Sequence, residues 1–424
     1  MTLFITILGA LGFFALILVS VGLHEVGHFV PGKLFRVKVL QFFVGFGKTL
    51  WSRQKGETEY GVKVFPLGGY VRLLGMYPPA RPPKGGKKGW LQRVADSARE
   101  AEWEDITPDD QASGRLYYQQ PLWQRLIIMF SGVAMNLLLA FVLFLGVNLA
   151  YGTYQPGMQI GFVQQCVDPA ASQCETTPAA AMGLKAGDQV LAFNGTTYTV
   201  WADLTAAVRA NGDQPVQLTV LRDGARVELP QVPGRIATVA DPAHQGKTIQ
   251  AGFLGVNVAL EKVRIGPVGT LQQMWGMITQ SVGVIIKLPV VTGQVLIGLI
   301  TGAPRDPNGP ISIVGASVIG GEIAAASDIP VSARVASYVQ LLASINLFVG
   351  LINLVPLLPF DGGHVAAGLY EGLRRGFAKV RGRDDPGPAD TAKLMPVTYV
   401  MVVLLVIMGA ILIVADIINP VVLF

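Results

Sequence analysis

The sequence predicts a polytopic α-helical membrane protein with about four transmembrane helices, a membrane-associated β-hairpin region and one extracytoplasmic α+β domain. Three observations predict it. Of the 424 residues, 51% are hydrophobic and only 14% charged, against about 25% charged in an ordinary soluble protein, and mean hydropathy is +0.47. The apolar residues gather into runs of the length a bilayer demands, about 20 residues. Between two of these runs, residues 159–233 turn soluble in composition and show helix, turn and strand signals.

The first run, residues 1–30, carries no charge from Leu3 to Leu23 and then reads His24-Glu25-Val26-Gly27-His28. It is not expected to be a cleaved leader, because no basic residue precedes it, it is too long, and no small-x-small site comes before His24. Residues at i and i+4 share a helix face, so His24 and His28 can hold one metal ion together. Glu25 lies one step round the helix, where a carboxylate can act as general base on a metal-bound water. Neutral imidazole suits zinc, and a catalytic zinc needs a third protein ligand. The competing reading is two interfacial imidazoles with Glu25 reaching for water, but ionisable residues inside a span mark function by default.

Charge placement sets the orientation. Residues 31–125 hold 16 Lys/Arg against 9 Asp/Glu, whereas 151–330 hold 10 against 12. Basic residues beside spans mark the cytoplasmic side, and Lys33, Arg36 and Lys38 follow the first run at once. The segment 31–121 is therefore expected inside and 151–330 outside. Within 31–121, alternation over 60–65 and 70–74 around Pro66-Leu67-Gly68-Gly69 reads as a hairpin too apolar for a cytosolic loop. Such a strand edge at membrane depth either anchors the inner face or receives an extended peptide by strand addition. Residues 78–115 read as a polar cytosolic insert, helical near Trp90–Trp103.

The second span is expected over 122–150, with Ser131-Gly132-Val133-Ala134 offering small residues for close helix packing and Asn136 an interhelical hydrogen bond. Cys166 and Cys174 follow in the outside segment, where an oxidising compartment favours one disulfide between them. Residues 264–304 are apolar but interrupted by Lys287, Pro289 and several glycines. They are expected to form membrane-surface helices that do not span. The third span, 335–358, leads into Asp361-Gly362, and 396–418 forms the fourth.

A third zinc ligand must come from far along the chain. Asp361 stands at the end of an apolar span between Pro359 and Gly362-Gly363, which break the helix and let backbone approach closely. His364 competes with it, and His244 lies in the soluble segment on the opposite side.

Two resemblances follow from these motifs. Pro178 to Gly195, a helix at Asp203–Arg209 and strands around Asp223-Gly224 resemble a bacterial, permuted PDZ domain, which implies capture of peptide termini by strand addition. Over nearly its whole length the chain resembles the site-2 protease family of intramembrane zinc metalloproteases, with Phe360 where the family usually has Leu before the Asp. The resemblance implies one Zn²⁺ per chain on His24, His28 and Asp361, with Glu25 as catalytic base. It implies that Asn353, in Gly350-Leu351-Ile352-Asn353, and Gly68-Gly69-Tyr70 bind substrate. It further implies residence in the bacterial inner membrane and cleavage, within the lipid bilayer, of single-span proteins such as an anti-sigma factor, already shortened by another protease.

A zinc-binding scaffold or chaperone would keep the ligands without needing Glu25, and a zinc transporter would need polar residues along spans that hold almost none. No nucleic-acid partner is expected: the basic balance comes without a helix-turn-helix, finger or aromatic-basic array.

Overall fold

The computed structural model describes residues 2–80, 89–167, 174–241, 248–306 and 309–421. They divide into two compact units, Met1–Tyr151 with Gly266–Phe424, and Gly152–Ile265.

The first unit is built on helices α1 (Thr2–Leu34), α4 (Leu122–Ala150), α7 (Pro267–Thr301), α8 (Ile313–Ala325), α9 (Val331–Asn353), α10 (Asp361–Val380) and α11 (Met395–Ile418). Five helices are long and apolar enough to cross a membrane: α1, α4, α7, α9 and the stretch Thr391–Ile418 that contains α11. The apolar residues of α1 do not fall into a stripe: Leu3, Phe4, Leu8, Leu11 and Val19 are exposed while Phe13 and Ile17 are buried. An all-round apolar surface is what lipid contact requires. α1 meets α8 through small residues, where a Cβ added to Gly9 would stand 2.7 Å from the Ala324 Cβ and one added to Gly320 would meet the Phe13 ring. On α9, the Asn346 side-chain amide donates to Ser20 Oγ at 3.1 Å, a polar tie to α1 inside the apolar bundle.

Between α1 and α4 run two long strands, β1 (Val39–Lys55) and β2 (Thr58–Leu73), and two short helices, α2 (Trp90–Trp103) and α3 (Pro108–Ala112). β1 and β2 fold over one another rather than forming a flat hairpin. Val39–Val44 pair on one side with Gly69–Leu73 and on the other with Glu59–Val62. Residues 69–73 are left as an edge with their outer row of backbone groups unpaired in the sheet. α2 fastens the turn after β2, because the Glu102 carboxylate accepts the Tyr77 amide at 3.1 Å and Arg99 donates to Pro78 O at 3.0 Å.

One expectation needs correction. α7, expected as separate surface helices over 264–304, is one continuous 35-residue helix with Pro289 inside it. Proline removes one helical hydrogen bond, but in an apolar setting a broken helix exposes several unpaired backbone groups, so the helix persists through it. Near the start of α7, Asn148 at the far end of α4 donates to Thr270 Oγ1 and Gln273 Oε1 at 3.0 and 2.8 Å.

The second unit is wider than residues 159–233. Its main sheet takes β10 (Val256–Val263), β3 (Thr153–Val163), β4 (Gln189–Phe193), β6 (Leu218–Arg222) and β7 (Ala225–Glu228) in that order, with β5 (Thr196–Thr197) beside β4. β8 (Arg235–Ala240) and β9 (Thr248–Phe253) form a separate ribbon, and α5 (Pro178–Ala181) and α6 (Trp201–Asn211) complete the unit. Its core gathers Ile160, Val190, Leu204, Leu218 and Val220. The strands that widen the unit, β3 and β10, pair with each other antiparallel from Val256↔Val163 to Val263↔Thr153. Cys166 and Cys174 are joined in a disulfide that closes a loop between β3 and α5. His244 lies outside the described residues.

Candidate metal centre

Helical spacing sets the first half of the site. His24 and His28 are buried on one face of α1, and their Nε2 atoms stand 3.2 Å apart. The His28 ring is turned by its other nitrogen, since Nδ1 lies 2.8 Å from Ile128 O on α4. A backbone carbonyl accepts only from N–H, so Nδ1 carries the proton and Nε2 offers its lone pair to the cavity. α1 and α4 approach closely enough for this because Gly27 and Gly132 meet without side chains.

The second half arrives from the far end of the chain. After α9 the backbone doubles back tightly, and a Cβ on Gly363 would stand 2.6 Å from Leu358 N. That turn leaves Asp361 as the first residue of α10. Its Oδ2 lies 3.2 Å from both His24 Nε2 and His28 Nε2. Among the described residues, the Asp361 Oδ2 atom is buried with no hydrogen-bond partner.

Four donors set tetrahedrally about 2.0–2.1 Å from zinc stand about 3.3–3.4 Å from one another. The three donor atoms here are 3.2 Å apart on every side, one face of such a tetrahedron. An orphaned buried carboxylate oxygen facing two imidazoles completes the fit, and the group can hold a metal ion. His364, the competing candidate, is not part of that group but lines the cavity beside it.

The cavity holds about 370 Å³ and is lined by Glu25, His24, His28, Asp361, Asn353 and Gly68-Gly69-Tyr70. Every site residue that the sequence marks, other than the two cysteines, therefore reaches one space. Gly69 packs on Glu25 so closely that a Cβ there would stand 2.8 Å from Glu25 Cγ. The sheet edge at 69–73 thus runs directly past the carboxylate.

The sequence does not mark every contributor as a site residue. Asn136 and Asn346 also line the cavity. Asn136 is nearly fully buried, and its Nδ2 makes no hydrogen bond among the described residues, so the interhelical bond expected of it is not formed by that atom. A lone amide in an apolar span is the signal that could have found both. Glu371, wholly buried on α10, accepts from Arg125 of α4 and takes the Ala389 amide at 2.7 Å, which fixes α10 against α4. These partners are far apart in sequence, and no local pattern announces them.

A three-donor metal group beside the Glu25 carboxylate, set in a frame of apolar helices, defines a metal-dependent hydrolase of the membrane. The chain belongs to peptidase family M50, whose profile matches residues 12–384, and it is a multi-pass intramembrane zinc metalloprotease. It is 35% identical over 435 residues to the zinc metalloprotease Rip1 of Mycobacterium tuberculosis (strain ATCC 25618 / H37Rv), with 96% of each chain covered. It is 34% identical over 438 residues to the zinc metalloprotease Rip1 of Mycolicibacterium smegmatis, covering 98% of this chain and 99% of that one. With the metalloprotease MmpA of Caulobacter vibrioides it shares 28% identity over 370 residues, 84% of this chain and 85% of the other.

Proposed function

We propose that this protease hydrolyses a peptide bond within the transmembrane segment of a single-span membrane protein, such as an anti-sigma factor already shortened by another protease, in the bacterial inner membrane. The observation that carries the reading is the meeting, in one cavity, of three candidate zinc donors, Glu25 and a strand edge that pairs with no further strand. His24, His28 and Asp361 would hold zinc, which when bound would supply Lewis acidity. Glu25 would be the base that takes a proton from the attacking water and later returns one to the leaving amine. Helical amides are shielded, so the substrate must unwind. The edge at 69–73 offers backbone groups to the freed strand, and Asn353, which lines the same cavity, offers an amide.

The second unit supports the reading as a PDZ-type domain outside the membrane. Between α6 and the turn Phe253–Val256 that leads into β10 lies a groove of about 190 Å³, lined by Trp201, Thr205, Val208 and Arg209. β10 is an edge strand there. The groove is completed by residues beyond 159–233, Val239 and Gly252–Val256, and a peptide terminus laid along β10 would extend the sheet.

The test is cleavage of a candidate single-span protein in detergent by wild type and by Glu25→Gln, with zinc measured in both. Glu25→Gln is expected to keep zinc and to lose at least about 10²-fold in rate. Substantial cleavage by that variant would show that Glu25 is not the base.

A further inference from the structure

We propose that the outward face of α10 is a docking surface for the anionic headgroups of the leaflet nearest the zinc centre. The side of the bilayer rests on the proposed protease function; the geometry of the helix does not. α10 begins at Asp361 and runs about 30 Å. Its inner face is fully used: His364 lines the cavity, Gly368 packs on Leu126, and Glu371 takes Arg125 and the Ala389 amide. Its outer face is apolar and uncovered. Leu369, Tyr370, Leu373, Phe377 and Val380 are all exposed, Val380 by 86%. At 100° per residue these five fall within an arc of about 100°.

Cations border that arc. Lys379 lies on one side, Arg381 and Arg374 on the other, and Arg383 follows the helix. Arg374 is drawn inward by the Pro386 and Pro388 carbonyls, and Arg375 by Glu371 and Asp385. Lys379, Arg381 and Arg383 remain exposed. A helix with one apolar stripe, flanking cations and little hydrophobicity overall lies in a bilayer interface and does not span it. Charge complementarity selects the headgroup, since each Lys or Arg at the surface favours an anionic leaflet roughly fivefold. The zinc ligand stands at one end of α10 and the lipid-facing cations at the other. The helix is therefore a strut between bilayer charge and the metal site.

The experiment uses the full chain with a nitroxide at Leu373→Cys or Phe377→Cys, the native cysteines being tied to each other. The protein is reconstituted in phosphatidylcholine vesicles with or without phosphatidylglycerol. Accessibility to oxygen against a water-soluble nickel complex reports depth, and spin-labelled lipids report headgroup preference at the protein boundary. Both sites are expected to favour oxygen. Wild type is expected to prefer phosphatidylglycerol by roughly fivefold or more, and Lys379→Gln/Arg381→Gln/Arg383→Gln to lose that preference while keeping its zinc. Labels open to nickel would put the stripe in water, labels shielded from both probes would mean a protein covers it, and an unchanged lipid preference in the triple variant would remove the cations' role; each overturns the proposal. Cleavage is not read, so failure here leaves the protease function untouched, and failure of that function leaves these measurements standing.

Discussion

Gly132 of α4 lies directly against the imidazole of His28, so close that a methyl group on its Cα would occupy the space of Nε2. One atom's absence on α4 thus sets where a proposed zinc donor on α1 stands. Gly132→Ala is expected to push the His28 ring away from Asp361 and lower zinc affinity by about 10–100-fold, the usual loss when support of a ligand fails. Gly146→Ala, on the same helix with open space around it, is the control. Competition with a chelator checks both, and equal affinities would show that α1 and α4 part easily.

Asp361→Ala is expected to lose zinc and activity together, because it removes a donor atom 3.2 Å from both imidazoles. His364→Ala removes a cavity wall without removing a donor, and its zinc affinity is expected to stay within about tenfold of wild type. Metal analysis after dialysis ranks the two, and the reverse order would make His364 the ligand.

α7 and α8 are expected to enter the membrane and return, so that residues before α7 and after α8 share a side. α8 packs along α1 with Gly321 against Ala10 and Ala324 against Gly9, near the start of α1. α9 must then descend to deliver Asp361 to the depth of His24. Single cysteines at Val268 and Asp328 are both expected to react with an impermeant thiol reagent from outside. Reaction of only one would place an odd number of crossings between them.

Acid should loosen the second unit through Asp188. Burial alone would raise this carboxyl, but hydrogen bonds from Arg222 and the Lys185 amide outweigh it and hold it below the usual carboxylate range. A group with a lowered folded-state pKa adds stability above the ordinary value of about 4, and that stability is lost as pH falls through the folded value. The protection factors of amides in β4 and β6, that is, the intrinsic exchange rate at each pH divided by the observed one, should therefore fall below about pH 4. Arg222→Leu should destabilise the unit by roughly 2–3 kcal/mol at neutral pH and flatten the acid response. Protection factors that rise on acidification would contradict the sign.

The parts of this site that sequence alone reveals are local ones. His24 and His28 share a face by spacing within one helix, and Asp361 is marked by the Gly-Gly turn that follows it. What stays hidden is relational. Nothing in the sequence says that Gly69 touches Glu25, that Gly132 makes room for His28, or that Glu371 takes Arg125. α7 misleads for a different reason: Pro289 and Gly293 weigh heavily as helix breakers in water and much less among apolar surroundings. The second unit is legible in the sequence only as far as β7, because β9 and β10 follow a stretch with no strong pattern.

The proposed zinc donors lie more than 300 residues apart in the chain, His24 and His28 on the first helix and Asp361 only after α9. A ribosome adding about 5–20 residues per second needs roughly 15–60 s to make that interval. Throughout it, the growing chain displays two imidazoles and Glu25 but lacks the carboxylate that completes their ligand set. With that ligand set, a protease whose targets share its membrane is harmless to its neighbours while it is being made, and is armed only after Asp361 itself has been added.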